Sequence, residues 1–206
     1  MSLAVADRDI QKMSAGAFRR FQARRPDRER WELVAGRPVM MAPASLAHNR
    51  IASNLERLLN DALEQHDSTR LACQRPGIEL GADDRYRPEP DVAVIDADYE
   101  AGQRFVGRAY LLAEIVSGTD RETVPEAGRR WIDIKRDLYR AHPPCEAVVI
   151  VEQERPEVEL SVRTAEGWRT EIVSGLDGRL ALPSFGIETD LAALYDGTPL
   201  RPRGGG

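Results

Sequence analysis

An α/β fold with a mixed central sheet is predicted by three features of this 206-residue sequence. Short apolar runs of strand character recur at residues 92–95, 110–116 and 147–151. Two longer segments, 45–65 and 126–141, carry apolar residues at helical spacing. The elements run hairpin, helix, three strands, helix, strand and an antiparallel extension, which is not a regular strand–helix alternation.

Taken in order, residues 1–30 form a polar segment in which Arg19, Arg20, Arg24, Arg25, Arg28 and Arg30 lie close together. A short helix over 15–23, ended by Pro26, is expected there, and the arginines read as a phosphate-contacting patch or as a solvated helix face. Residues 31–41 read as a hairpin turning at Ala35-Gly36. Ser45 then caps a helix whose Leu46, Ile51, Leu55, Leu58, Leu59 and Leu63 share one face. A strand is expected over 71–80, a polar turn over 81–86, and two further strands over 92–95 and 110–116. The next helix presents Trp131, Ile134 and Leu138 and is stopped by His142-Pro143-Pro144. After a strand at 147–151, segments 158–162 and 168–172 read as a meander. Residues 182–186 close the domain, which is expected to span 31–200, with 201–206 a disordered tail.

Composition narrows the function classes. Hydrophobic residues make up 42% and charged residues 31%, as in ordinary globular proteins. No apolar stretch approaches the ~20 residues that span a bilayer. The N-terminal residues lack a leader pattern, so a cytoplasmic location without membrane association is the expectation. Cys73 and Cys145 offer neither a disulfide framework nor zinc spacing. A net charge of −5 does not advertise nucleic acid, although it leaves room for a local basic patch. Nucleotide-binding glycine loops and the Gly-x-Ser-x-Gly elbow are absent, and His48, His66 and His142 lack metal-ligand spacing.

Two acids stand out against this background. Asp91 opens the run Val92-Ala93-Val94-Ile95, and Glu114 lies inside Leu112-Ala113-Glu114-Ile115-Val116. Carboxylates are rarely buried unless paired or coordinated. On neighbouring strands they would converge and suit Mg²⁺ or Mn²⁺, with the backbone carbonyl of Ile115 as a further ligand. Only Lys12 and Lys135 are lysines. Lys135 flanks the apolar stripe of its helix and could reach the acids, orient a water or neutralise a phosphorane.

Pro90-Asp91 and Glu114-Ile115-Val116 resemble the Pro-Asp…(Asp/Glu)-x-Lys signature of restriction-endonuclease-like nucleases, with Val116 at the usual lysine position. The sequence is more closely similar to the Uma-two family of putative restriction endonucleases, in which the lysine has moved to the following helix. Trp31–Gly36, Met41-Ala42-Pro43 with His48, Pro90-Asp91-Val92, Glu114–Ser117, Lys135 with Tyr139, and Leu182–Gly186 follow that family in order. The resemblance covers roughly residues 31 to 195. It implies a restriction-endonuclease-like sheet flanked by helices, a divalent-metal site, a nucleic-acid substrate, expected to be DNA, and a homodimer. Glu32 and His48 become accessory candidates, while Arg37 stands where relatives often carry an acid.

Each residue also has a plain structural reading: Asp91 as a strand-start cap, Glu114 in an arginine ion pair, Lys135 as a snorkelling surface residue. His48 could be a helix-start histidine and Glu32 an exposed hairpin acid. Three functions compete: a Mg²⁺/Mn²⁺-dependent endonuclease, a nuclease-fold module that binds DNA or protein with weak or lost catalysis, and a carboxylate-pair glycosidase. Aromatic residues, at 6%, give the last little support.

Overall fold

The computed structural model describes residues 12–26, 28–80 and 84–203. In chain order the elements are α1 (Ala15–Gln22), β1 (Trp31–Val34), β2 (Arg37–Met40), α2 (Leu46–His66), β3 (Arg70–Cys73), β4 (Gly77–Ile78), β5 (Val92–Asp96), β6 (Phe105–Val106) and β7 (Ala109–Val116). There follow β8 (Thr123–Val124), β9 (Arg129–Arg130), α3 (Trp131–Ala141), β10 (Ala147–Glu152), β11 (Glu157–Thr164), β12 (Gly167–Ser174), β13 (Arg179–Leu182), β14 (Ile187–Asp190) and α4 (Leu191–Leu194). The six-stranded sheet has the order β12-β11-β10-β7-β5-β3. β7 and β10 run parallel, and every other neighbouring pair in it is antiparallel. The parallel step needs a crossover, which α3 supplies.

Strand alternation sorts the core into two layers. Val92 and Val94 with Leu111, Ala113 and Ile115 face α2, where Ile51, Leu55, Leu59 and Leu63 cover them. The alternate residues Ala93, Ile95, Leu112 and Val116 face the other side and meet Ile132 and Tyr139 of α3. Ser45 caps α2 through its side chain, accepting from the His48 amide at 3.0 Å. The β1–β2 hairpin lies between two helices: Trp31 and Leu33 pack on Phe18 of α1, whereas Val34 and Val39 pack on Trp131 and Ile134 of α3.

Three expected elements differ. The helix predicted over 126–141 begins only at Trp131, because the Val124 carbonyl accepts from the amides of Ala127 and Gly128 and closes a turn inside the β8–β9 hairpin. The strand expected over 71–80 is two strands, broken at Arg75, whose φ of +54° cannot continue an extended chain. The closing region adds a β13–β14 hairpin and α4, whose Leu180, Leu182, Ile187, Leu191 and Tyr195 complete the α2-side core.

The tail expected at 201–206 begins with Arg201, which bridges Thr198 and donates to the Ala192 carbonyl at 2.6 Å. Residues 204–206 of that segment, and 1–11 of the N-terminal segment, lie outside the described residues. Among the described residues no helix is long and apolar enough to cross a membrane.

Gly186 fixes how closely the closing segment approaches α2. Its φ is +70°, and an added Cβ would stand 2.8 Å from the Cβ of His66. Gly186→Ala is therefore expected to lower unfolding free energy by about 1–2 kcal/mol from the left-handed backbone alone. The clash adds to this cost. A denaturant midpoint that falls at unchanged slope would check it.

Candidate active site

The sheet register brings the two acids together. Val92 pairs with Ala113, so one step further along this antiparallel pair Asp91 stands opposite Glu114. Both side chains are buried, with exposures of 3% and 1%. The Ile115 amide donates to Asp91 Oδ2 at 2.9 Å. A strand residue directs its N–H and C=O to the same neighbour, so the Ile115 carbonyl also faces the Asp91 edge. Asp91 Oδ1 meets His48 Nε2 at 3.1 Å and Arg30 Nη1 at 3.2 Å.

Lys135 is the second focus. It is 1% exposed, and its Nζ lies 2.9 Å from Glu114 Oε2, 3.2 Å from Asp120 Oδ1 and 3.3 Å from Glu32 Oε1. Trp131, Lys135 and Tyr139 are spaced i, i+4, i+8 and form one ridge of α3. Each binds an acid: the indole of Trp131 donates to Glu32 Oε2 at 2.8 Å, and the Tyr139 hydroxyl donates to Glu114 Oε1. Asp120, in the turn after β7, is held through its Oδ2 by the Ser117 amide at 2.9 Å. Asp91, Glu114, Asp120, Lys135, His48 and Arg30 line one cavity of about 580 Å³.

The charges are unbalanced. Glu32, Asp91, Glu114 and Asp120 are buried acids, and the permanent cations that touch them are Arg30 and Lys135. Burial pushes Glu114 well above the usual carboxylate range; Lys135 opposes that, but Asp91, Asp120 and Glu32 add to it. Burial would likewise raise Asp91, yet the His48 hydrogen bond and the Arg30 charge outweigh it and hold the group far below that range. Lys135 is driven the other way: burial disfavours its charge, and Asp120, Glu114 and Glu32 more than restore it, raising its pKa.

This donor set fits a hard divalent cation. Two carboxylates and a backbone carbonyl from the neighbouring strands β5 and β7 are oxygen ligands, and the local excess of negative charge favours a cation. Among the described residues no group of three or more His, Cys, Asp or Glu side chains is arranged to hold a metal ion.

Of the residues singled out in the sequence, Asp91, Glu114, Lys135 and His48 share the cavity, and Glu32 reaches it through Lys135. Glu32 is not an exposed hairpin acid: its exposure is 0%, because alternation in β1 turns Glu32 and Val34 towards α3. Lys135 is likewise no snorkelling surface residue. Sequence reasoning missed Asp120 and Arg30, and noted Tyr139 only as a family match. Arg30 reads in the sequence as one of an arginine cluster, whereas alternation with Glu32 places it on the acid side. Tyr139 carried a signal in its i+4 spacing from Lys135. Asp120 had only the turn sequence Ser117-Gly118-Thr119-Asp120.

Comparison with known proteins agrees with this architecture. The Uma2 family model, described as "Putative restriction endonuclease", matches residues 16–193. A crystal structure from Anabaena variabilis, described as a putative nuclease belonging to DUF820, superposes with a TM-score of 0.65 at 14% identity, covering 89% of this chain and 97% of that one. At that identity the likeness concerns the fold. No curated protein matches this chain.

Two outcomes follow for the metal-free protein, kept in chelator. Lys135→Met leaves three buried acids without their ammonium and should cost roughly 3–5 kcal/mol, read from denaturant unfolding. Glu114→Gln tests the charge imbalance. A carboxyl whose folded pKa is raised contributes stability below its unfolded pKa near 4.5 and loses it as pH rises through the folded value. Glu114→Gln should therefore gain thermal stability relative to wild type as pH rises from about 4.5 to 8. A difference that stays constant across that window would contradict the assigned shift.

Proposed function

We propose that this chain, which belongs to the Uma2 family of "putative restriction endonucleases", is a divalent-metal-dependent nuclease that hydrolyses phosphodiester bonds in nucleic acid. The observation that carries the reading is the convergence of Asp91, Glu114 and Lys135 on one cavity at the end of the β5–β7 pair. Asp91 and Glu114, with the Ile115 carbonyl, would hold Mg²⁺ or Mn²⁺. Such an ion supplies Lewis-acid polarisation of phosphate and a more acidic bound water.

The chain's own residues do the rest. Lys135 is held charged by Glu32, Glu114 and Asp120 and points its ammonium into the cavity. There it stabilises negative charge that builds on the phosphate in the transition state, or orients the attacking water by donating to it. Glu32 and Asp120 position Lys135 without needing to touch substrate. His48 and Arg30 fix the Asp91 carboxylate and lower its proton affinity, which keeps it available as a ligand. Tyr139 orients Glu114.

A second reading has one observation in its favour. Both Glu114 oxygens already accept bonds, from Lys135 and Tyr139. A fold that keeps this closed network could bind DNA or protein without cutting.

Cleavage of plasmid and single-stranded substrates with Mg²⁺ or Mn²⁺ separates the two. Asp91→Asn, Glu114→Gln and Lys135→Gln are each expected to lower the cleavage rate by roughly 10²–10³-fold, with folding checked by circular dichroism. Calorimetric titration should show metal binding to wild type and its loss in Asp91→Asn. Activity that survives Glu114→Gln would remove that residue from the site. No cleavage of any substrate would favour the binding module.

A further inference from the structure

Behind the acid cavity lies a second cavity of about 630 Å³, between α1 and the segment leading into β6. The two share a wall. Arg30 lines the acid cavity and Glu89 lines the second one, and Arg30 Nη2 donates to the Glu89 carbonyl at 2.6 Å. Arg19, Arg25, Arg75 and Arg104 converge on this second groove together with the rings of Tyr99 and Phe105.

The acids of the groove wall are occupied by donors of the same wall. Glu29 accepts from the Trp31 indole at 2.9 Å, and Glu89 accepts from Gln22 at 3.0 Å. The guanidinium of Arg25 lies over the Phe21 ring at 4.4 Å; that of Arg19 lies over the Phe105 ring at 5.1 Å and is ion-paired with Glu79. Phe105 is seated firmly, since a Cβ on Gly77 would fall 2.4 Å from its Cδ1. Tyr99, by contrast, is 57% exposed.

Arg75 adds an independent sign. Its backbone holds a left-handed φ of +54°, unusual for arginine. Its side chain is exposed, and its charge acts on Glu89 of the same groove. Strained backbone of this kind persists where the surrounding structure over-determines it, often beside a ligand.

We propose that this groove binds an unpaired stretch of nucleic acid, with phosphates on the arginines and a base stacked on Tyr99. Single-strand sites elsewhere combine a positive groove with aromatic platforms. A cavity of this size, in the range of small-molecule clefts, accepts an unstacked base with its phosphates but not a duplex. The inference rests on the nuclease reading for its role: the groove would hold the strand beside the bond being cut.

Binding can be read without cleavage. Fluorescence anisotropy of labelled oligothymidylate, oligouridylate and a duplex of equal length, all in chelator, addresses the groove alone. Wild type should bind a single strand more tightly than the duplex, and the first two arms distinguish DNA from RNA. Tyr99→Ala should weaken single-strand binding roughly tenfold. Arg75→Ala should also weaken it and reduce the magnitude of the log-log salt slope by about 1. Both residues are exposed, so both variants should melt like wild type. Equal affinity for duplex and single strand, or an unchanged affinity in Tyr99→Ala, overturns the proposal. Loss of metal-dependent cleavage with single-strand binding intact would instead overturn the nuclease reading and leave the groove standing.

Discussion

The ammonium of Lys135 ties together four separate pieces of chain. Glu32 comes from β1, Glu114 from β7, Asp120 from the turn beyond β7, and the lysine itself from α3. None of these acids could stay buried and ionised alone, since burying an isolated charge costs several kcal/mol or more. Their shared cation makes the docking of the hairpin, the central strand and the helix interdependent. The apolar contacts of α3 supply the attraction, and the ion cluster sets the register in which it is satisfied.

The same cluster leaves an electrostatic debt of one sign. Lys135 and Arg30 do not balance Glu32, Asp91, Glu114 and Asp120, so the end of the β5–β7 pair favours arriving positive charge. The two central acids experience this differently. Asp91, with His48 and Arg30 against it, keeps its charge easily; Glu114, deeper and among acids, resists ionising. Such divergence between neighbouring carboxylates is typical of functional sites, though structural networks produce it as well.

The sequence made the frame and the central acids legible for simple reasons. Apolar runs and helical spacing mark β5, β7, β10 and α2, because those elements bury complete faces and leave a periodic trace. Asp91 stands out by opening such a run and Glu114 by interrupting one. What stayed hidden was set by tertiary contact. Glu32 looked exposed because nothing local indicates that α1 and α3 cover the hairpin on both sides. Asp120 sits in a turn whose residues would serve equally well on any surface. The break at Arg75 and the late start of α3 depend on a single backbone angle and on a closed turn, and periodicity is blind to both.

The closing segment has a consequence for the order in which the protein can be made. Leu180, Leu182, Phe185, Leu191, Leu194 and Tyr195 belong to the α2-side core, and the Tyr195 hydroxyl ties back to the β10–β11 connection by donating to the Glu152 carbonyl at 2.7 Å. During synthesis every acid of the site, and Lys135, has left the ribosome before these residues appear. The layer beneath α2 therefore stays unsealed until residues 180–195 have emerged, and a nascent chain carries its charged residues some time before it can hold them rigidly. A geometry that requires fixed carboxylates thus waits for this closing segment to dock.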